Sequence, residues 1–185
     1  LAHLYQHQQQ WSEAIESYQQ TIALNPRYPE AYNNLGIIYQ TQGDYEQAIQ
    51  TLKKATEMSP DYASAYYNLG NLYQQMGELQ KSISAYQQAL LLQPHYLEAH
   101  YNLANAFELK GEKEEANKHY QEAAFYYQET LHQHPNNAQT YIHLANIAKT
   151  QRDYEKAKFY YQRASQISPH DAQIYYYLGA IALDE

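Results

Sequence analysis

Five prolines divide the 185-residue chain at nearly even intervals. Pro26, Pro60, Pro94, Pro135 and Pro169 are separated by 34, 34, 41 and 34 residues, and each follows a polar residue. Between the first two the chain reads Tyr32, Leu35, Gly36, Tyr39, Gly43, Tyr45, Ala48, Leu52, Ala55, Pro60. Shifted by 34 residues it reads Tyr66, Leu69, Gly70, Tyr73, Gly77, Leu79, Ser82, Tyr86, Ala89, Pro94. A period of this length, kept over most of a chain, marks a repeat architecture. One unit cannot bury its own apolar face, so neighbouring units must stack.

Each unit has the marks of two helices. Apolar residues recur at three- and four-residue steps, as in Tyr32, Leu35, Gly36, Tyr39 and then Ala48, Leu52, Ala55. The pairs Gly43-Asp44, Gly77-Glu78 and Gly111-Glu112 break the first helix and start the second. Proline ends the second, because it has no N–H and clashes with the preceding turn. Gly36, Gly70, Ala104, Ala145 and Gly179 fall where the helices of a hairpin would cross closely. The composition agrees: Ala, Leu and Gln are abundant, Val is absent, and 23 tyrosines offer rings that pack while their hydroxyls reach water. The expected class is all-α.

The third interval, which spans the fourth unit, is longer by seven residues. His119-Tyr120-Gln121-Glu122-Ala123 is echoed seven residues later by Tyr126-Tyr127-Gln128-Glu129-Thr130, which reads as a duplicated heptad within a helix of about 113–133. Seven residues bring a helix back to the same face within ~20°, so the buried stripe stays aligned. The extra material is either a tolerated duplication or a projecting ledge in which Phe125 and Tyr126 dock a partner.

Period, small residues, aromatics and proline together resemble the tetratricopeptide repeat. The resemblance covers nearly the whole chain, as one solenoid with units of roughly 1–28 (partial), 29–62, 63–96, 97–137 with the insertion, 138–171 and 172–185 (first helix only). It implies a right-handed α-solenoid whose concave side, lined by the first helix of each unit, is the binding surface. Leu1 in place of Met, with partial units at both ends, reads as a piece cut from a longer chain. Incomplete units at the ends would expose apolar helix faces, so end-to-end self-association is expected.

The positions that this family turns inward carry amides. Asn34, Asn68 and Asn102 occupy one row, continued by His143 and Tyr177; one turn along lie Ile37, Asn71, Asn105, Asn146 and Ala180. Asparagine is a modest helix former, and its amide offers both donors and acceptors. The arrangement is similar to the asparagine ladders in the repeats of O-linked N-acetylglucosamine transferases, which hold substrate backbone. The binding residues implied are Asn34, Asn68, Asn71, Asn102, Asn105 and Asn146, with Tyr67 and Tyr101 supplying apolar contact to an extended peptide. The alternative is that these asparagines bridge adjacent helices. A clamp for acidic chaperone tails is not expected, because Tyr67, Tyr101 and Ile142 stand where it would need lysine.

Other functions find less support. A net charge of −8 repels nucleic-acid backbones, and no run is long and apolar enough for a membrane span. No basic-then-apolar leader follows Leu1; the compartment is left unassigned, with the cytoplasm slightly favoured. The absence of cysteine removes disulfides and thiolate zinc sites. His132-Gln133-His134 reads as a solvated helix end, not a metal site. No phosphate loop or nucleophile signature is present. The expectation is therefore no catalytic residue, metal or cofactor, and a protein or peptide partner. Two alternatives remain: a substrate-recruiting region of a transferase whose catalytic domain lies outside these residues, and a structural or self-assembling scaffold, such as those serving polysaccharide secretion.

Overall fold

A computed structural model describes residues 2–184, with side chains described for 11–182. Among the described residues there are ten α-helices and no strand: α1 Ala2–Leu24, α2 Pro29–Gln42, α3 Tyr45–Met58, α4 Ala63–Gln75, α5 Leu79–Leu92, α6 Leu97–Lys110, α7 Lys113–Gln133, α8 Ala138–Thr150, α9 Tyr154–Ile167 and α10 Ala172–Asp184. They divide into two compact units, Leu1–Gly111 and Glu112–Glu185. The boundary falls between the two helices of the fourth repeat.

The same local signals recur along the chain. The turn after each first helix needs a left-handed residue, supplied by Gly43, Gly77 and Gly111 at φ of 82°, 76° and 87°. Arg152 takes that conformation in the fifth repeat, at φ 62°, which an L side chain adopts at a cost of roughly 1 kcal/mol. Asp44, Asn137 and Asp153 cap α3, α8 and α9 by accepting the N–H of Gln47, Thr140 and Lys156 at 3.1–3.2 Å. Each second helix ends just before its proline, with Ser59, Gln93, His134 and Ser168 donating their N–H to the carbonyl four residues back at 2.8–3.0 Å.

In the Leu1–Gly111 unit, α2 with α3 and α4 with α5 form hairpins, and each second helix then packs on the first helix of the next repeat. The first helices α2, α4 and α6 also meet one another in turn, whereas α3 and α5 stay apart. The first helices therefore form the inner side of this unit. Within each hairpin the helices close over a glycine. A Cβ on Gly36 would lie 2.6 Å from Leu52, and one on Gly70 would lie 2.5 Å from the Tyr86 ring. Leu52 and Tyr86 are completely buried in those slots.

In the Glu112–Glu185 unit, α8 and α9 form the hairpin, with α7 against α8 and α10 against α9. Ile142, Ala145, Ala148, Ala157, Tyr161, Ala164, Ile174 and Ile181 make its core. α7 has 21 residues against 14 for α9, an extension of about 10 Å. Its second heptad sets the register for the helices after it. Tyr127 stacks on His143 of α8 at 4.9 Å and 11°, and the pair 34 residues later, Tyr161 and Tyr177, stacks at 5.3 Å and 25°. Phe125 is more than half exposed. At Gly179, on α10, an added Cβ would meet nothing within 4 Å among the described residues.

The two glycine environments predict opposite outcomes. Gly70→Ala drives a methyl into a rigid ring and should cost about 1–3 kcal/mol of stability. Gly179→Ala, in a helix with open space around it, should be neutral or stabilise by up to about 1 kcal/mol. Urea denaturation of the two variants beside the parent measures both; equal effects would mean that the slot at Gly70 is not the constraint described.

Candidate functional site

The ladder residues lie half-buried on the inner side of the first helices, and the structure shows what most of their amides do. In the Leu1–Gly111 unit, the Tyr86 hydroxyl donates to Asn71 Oδ1 at 2.7 Å, with Gln74 Oε1 a second acceptor at 2.9 Å. Asn102 Nδ2 donates to the same Asn71 Oδ1 at 2.9 Å and to the Tyr67 hydroxyl at 3.1 Å. Asn68 Nδ2 donates to Asn33 Oδ1 at 2.8 Å, and Asn33 Nδ2 reaches Asn34 Oδ1 at 3.4 Å. Asn105 and Tyr101 stand half-buried on α6. In the Glu112–Glu185 unit, the Tyr161 hydroxyl donates to Asn146 Oδ1. The asparagines therefore do bridge helices, within and between repeats.

Burial explains the pairing. Tyr86 and Tyr161 are fully enclosed, and a buried hydroxyl without a partner costs about 1–3 kcal/mol. An amide fifteen residues earlier, immediately after the small residue of the slot, reaches that hydroxyl. Where the buried residue is Leu52, which has nothing to satisfy, the corresponding position is Ile37. Burial also pushes the Tyr86 phenol far above its usual range, and the Tyr67 phenol upward against the opposing effect of the Asn71 and Asn102 amides. Both stay protonated donors at any physiological pH.

These internal bonds fix which end of each amide is already engaged. Asn71 and Asn146 spend their oxygens on tyrosine, which leaves both Nδ2 groups to donate. Asn68 and Asn102 spend their nitrogens, which leaves both Oδ1 atoms to accept. Residues that the sequence pattern did not single out take part. Asn33, only 4% exposed, occupies the position held by Tyr67 and Tyr101 one and two repeats later. Gln40 Nε2 donates to Gln75 Oε1 at 2.9 Å, and Gln75 Nε2 to the Tyr45 hydroxyl at 2.9 Å. The 34-residue register placed Asn33 beside Asn34, but an amide in an aromatic's place gave no sign of its use.

His143 holds the corresponding repeat position on α8 of the Glu112–Glu185 unit. It is stacked on Tyr127 and has Gln139 Nε2 at 3.2 Å from its Nε2, and burial lowers its pKa. Among the described residues no group of three or more His, Asp or Glu side chains could hold a metal ion, and no helix is long and apolar enough to cross a membrane.

An all-α array of stacked helical hairpins with its polar network on the first helices defines an α-solenoid of the protein-interaction type. Models of the tetratricopeptide repeat match residues 2–43, 41–77, 63–96 and 96–170, and the chain belongs to that family. No curated protein sequence matches it. Among solved structures it is similar to TTC0263, a thermophilic TPR protein of Thermus thermophilus (TM-score 0.72, 19% identity, 98% of this chain and 95% of that one). It is also similar to MamA (TM-score 0.62, 24% identity, 91% and 94%). A third, YrrB, is described as a TPR protein with an unusual peptide-binding site (TM-score 0.62, 19% identity, 90% and 82%).

The bonded groups can be tested directly. Tyr86→Leu and Asn71→Ile should each destabilise, but the double variant, which copies Leu52 and Ile37, should be less damaging than the sum by about 1 kcal/mol or more; strict additivity in a double-mutant cycle would contradict the pairing. For His143, the neutral ring is favoured in the folded state, so the unfolded chain takes up the proton first as pH falls. Its contribution to stability is complete above the ordinary histidine value and declines as pH drops below about 6.5. Melting curves at descending pH should show a loss that His143→Asn flattens; an unchanged slope would show that other groups carry it.

Proposed function

We propose that this protein-interaction scaffold binds an extended peptide segment along its first helices, with ladder asparagines bonding the peptide backbone. What supports this reading is the half of each amide that internal bonding leaves over: Nδ2 of Asn71 and Asn146 as donors, Oδ1 of Asn68 and Asn102 as acceptors. An extended chain presents a carbonyl and an N–H at each residue, so in the Leu1–Gly111 unit the Asn71 donor with the Asn68 and Asn102 acceptors can hold it whatever its side chains; Asn146 offers a donor of the same kind in the other unit. Because the amides are held by tyrosine and by one another, little rotamer freedom is lost on binding. Asn34, Asn105, Tyr67 and Tyr101 extend the same surface. The likeness in fold to YrrB, itself described as having a peptide-binding site, is in keeping with this role.

The test separates the two jobs of each asparagine. Asn71→Asp and Asn146→Asp retain the oxygen that accepts from Tyr86 and Tyr161 but lose the outward donor. Linear peptides selected from a random displayed library would serve as ligands. Each variant should fold and melt close to the parent while losing about 1 kcal/mol of peptide affinity, roughly fivefold. Retained affinity in both variants would mean that the ladder is structural only.

A further inference from the structure

α10 occupies the place of a first helix, and one of its two packing faces is open. Ile174, Tyr177, Leu178 and Ile181 pack against α9 and the core around it. The other stripe is Tyr175, Gly179 and Ala182, which hold the repeat positions of Tyr32, Gly36 and Tyr39 on α2 and of Tyr141, Ala145 and Ala148 on α8. In those helices the second helix of the hairpin covers the stripe, and Tyr32, Gly36, Ala145 and Ala148 are buried. In α10 Tyr175, Gly179 and Ala182 are all exposed, Tyr175 by half. Among the described residues nothing stands within 4 Å of a Cβ on Gly179, where Leu52 closes on Gly36 and Tyr86 on Gly70. No charged residue interrupts α10 before Asp184.

α1 presents the converse. Ala14, Tyr18 and Thr21 hold the repeat positions of Ala48, Leu52 and Ala55 on α3 and of Ala157, Tyr161 and Ala164 on α9. Those residues of α3 and α9 are completely buried, in hairpins with α2 and α8. Ala14, Tyr18 and Thr21 remain partly exposed, and α1 packs on α2, the first helix of the next repeat. Among the described residues α1 is thus a second helix without a first, and α10 a first helix without a second.

We infer that this pairing is made between molecules: α1 of one copy docks on α10 of another, with Tyr18 closing on Gly179 as Tyr86 closes on Gly70. Ala14 and Thr21 lie beside it on the same face. The contact continues the packing of α9 on α8 by one more hairpin and uses a geometry the molecule already repeats. It is heterologous, since each copy keeps one free face of each kind, so copies add head to tail. It does not depend on the peptide groove. Ala180 stands where Asn71 and Asn146 accept from Tyr86 and Tyr161, so the docked Tyr18 hydroxyl would lack that acceptor. Tyr18→Leu, which copies Leu52, should therefore associate at least as tightly as the parent.

Analytical ultracentrifugation of the chain over a range of concentrations tests the inference. The parent should grow past a dimer as concentration rises. Gly179→Leu fills the open slot while replacing glycine by a better helix former, and should weaken association about tenfold or more. Tyr18→Lys, which blocks the other face while lowering the net negative charge, should do the same; circular dichroism checks that both variants stay folded. Each variant keeps one intact face, so a mixture of the two should re-form a dimer and stop there. A parent that stays monomeric at every concentration would overturn the inference. So would variants that associate as the parent does, or two monomeric variants that fail to pair when mixed.

Discussion

Each hairpin depends on one close approach, between a small residue on the first helix and a large one sixteen residues later on the second. Gly36 admits Leu52 and Gly70 admits Tyr86, at distances that exclude even a methyl group. With the helices this near, the residues around the slot are completely buried: Ala48, Leu52 and Ala55 in one repeat, and Ala145, Tyr161 and Ala164 in another. Alanines and glycines supply little apolar area individually. Their contribution is to let the backbones approach, so that a few large rings and leucines fill the remaining space at close-packed density.

The polar network follows from filling that slot with tyrosine. A tyrosine gives the core its ring but brings a hydroxyl into the interior, and the hydroxyl needs an acceptor. Asn71 and Asn146 answer that need, and in doing so their amides become oriented. In the proposed function that orientation matters, because a freely rotating amide on the same helix face would lose its freedom on contact with a ligand. The structural role of the ladder and the peptide-binding role proposed for it are thus compatible, since one bond serves the first and leaves the Nδ2 group for the second. The repeat built on Leu52 dispenses with the arrangement, and its inner position is the apolar Ile37.

Much of this was legible in the sequence for definite reasons. The 34-residue period, the glycines before the second helices and the prolines after them are backbone constraints, and backbone constraints depend on residue type alone. α7 runs from Lys113 to Gln133, as the duplicated heptad implied, because a helix tolerates an insertion that preserves its face. Other features depend on neighbours that a linear pattern does not show. The left-handed backbone at Arg152 could not be read from an arginine. The division between Gly111 and Glu112 falls inside the fourth repeat, where the sequence marks an insertion in the second helix but no boundary before it. Asn33 stood where neighbouring repeats have tyrosine, so its bond to Asn68 was hidden. Most of all, the ladder asparagines were visible as a row, but not which end of each amide was already engaged.

The central claim is that internally held amides present their remaining donors to a peptide. Side-chain amide resonances of the asparagines, followed by NMR as a bound linear peptide is titrated in, test it most directly. The account predicts that the Nδ2 protons of Asn71 and Asn146 shift on binding, in step with backbone signals of the first helices, while α3 and α5 stay unchanged. Movement of α3 and α5 with the asparagine side chains unmoved would contradict it, and would place the binding surface on the other side of the repeats.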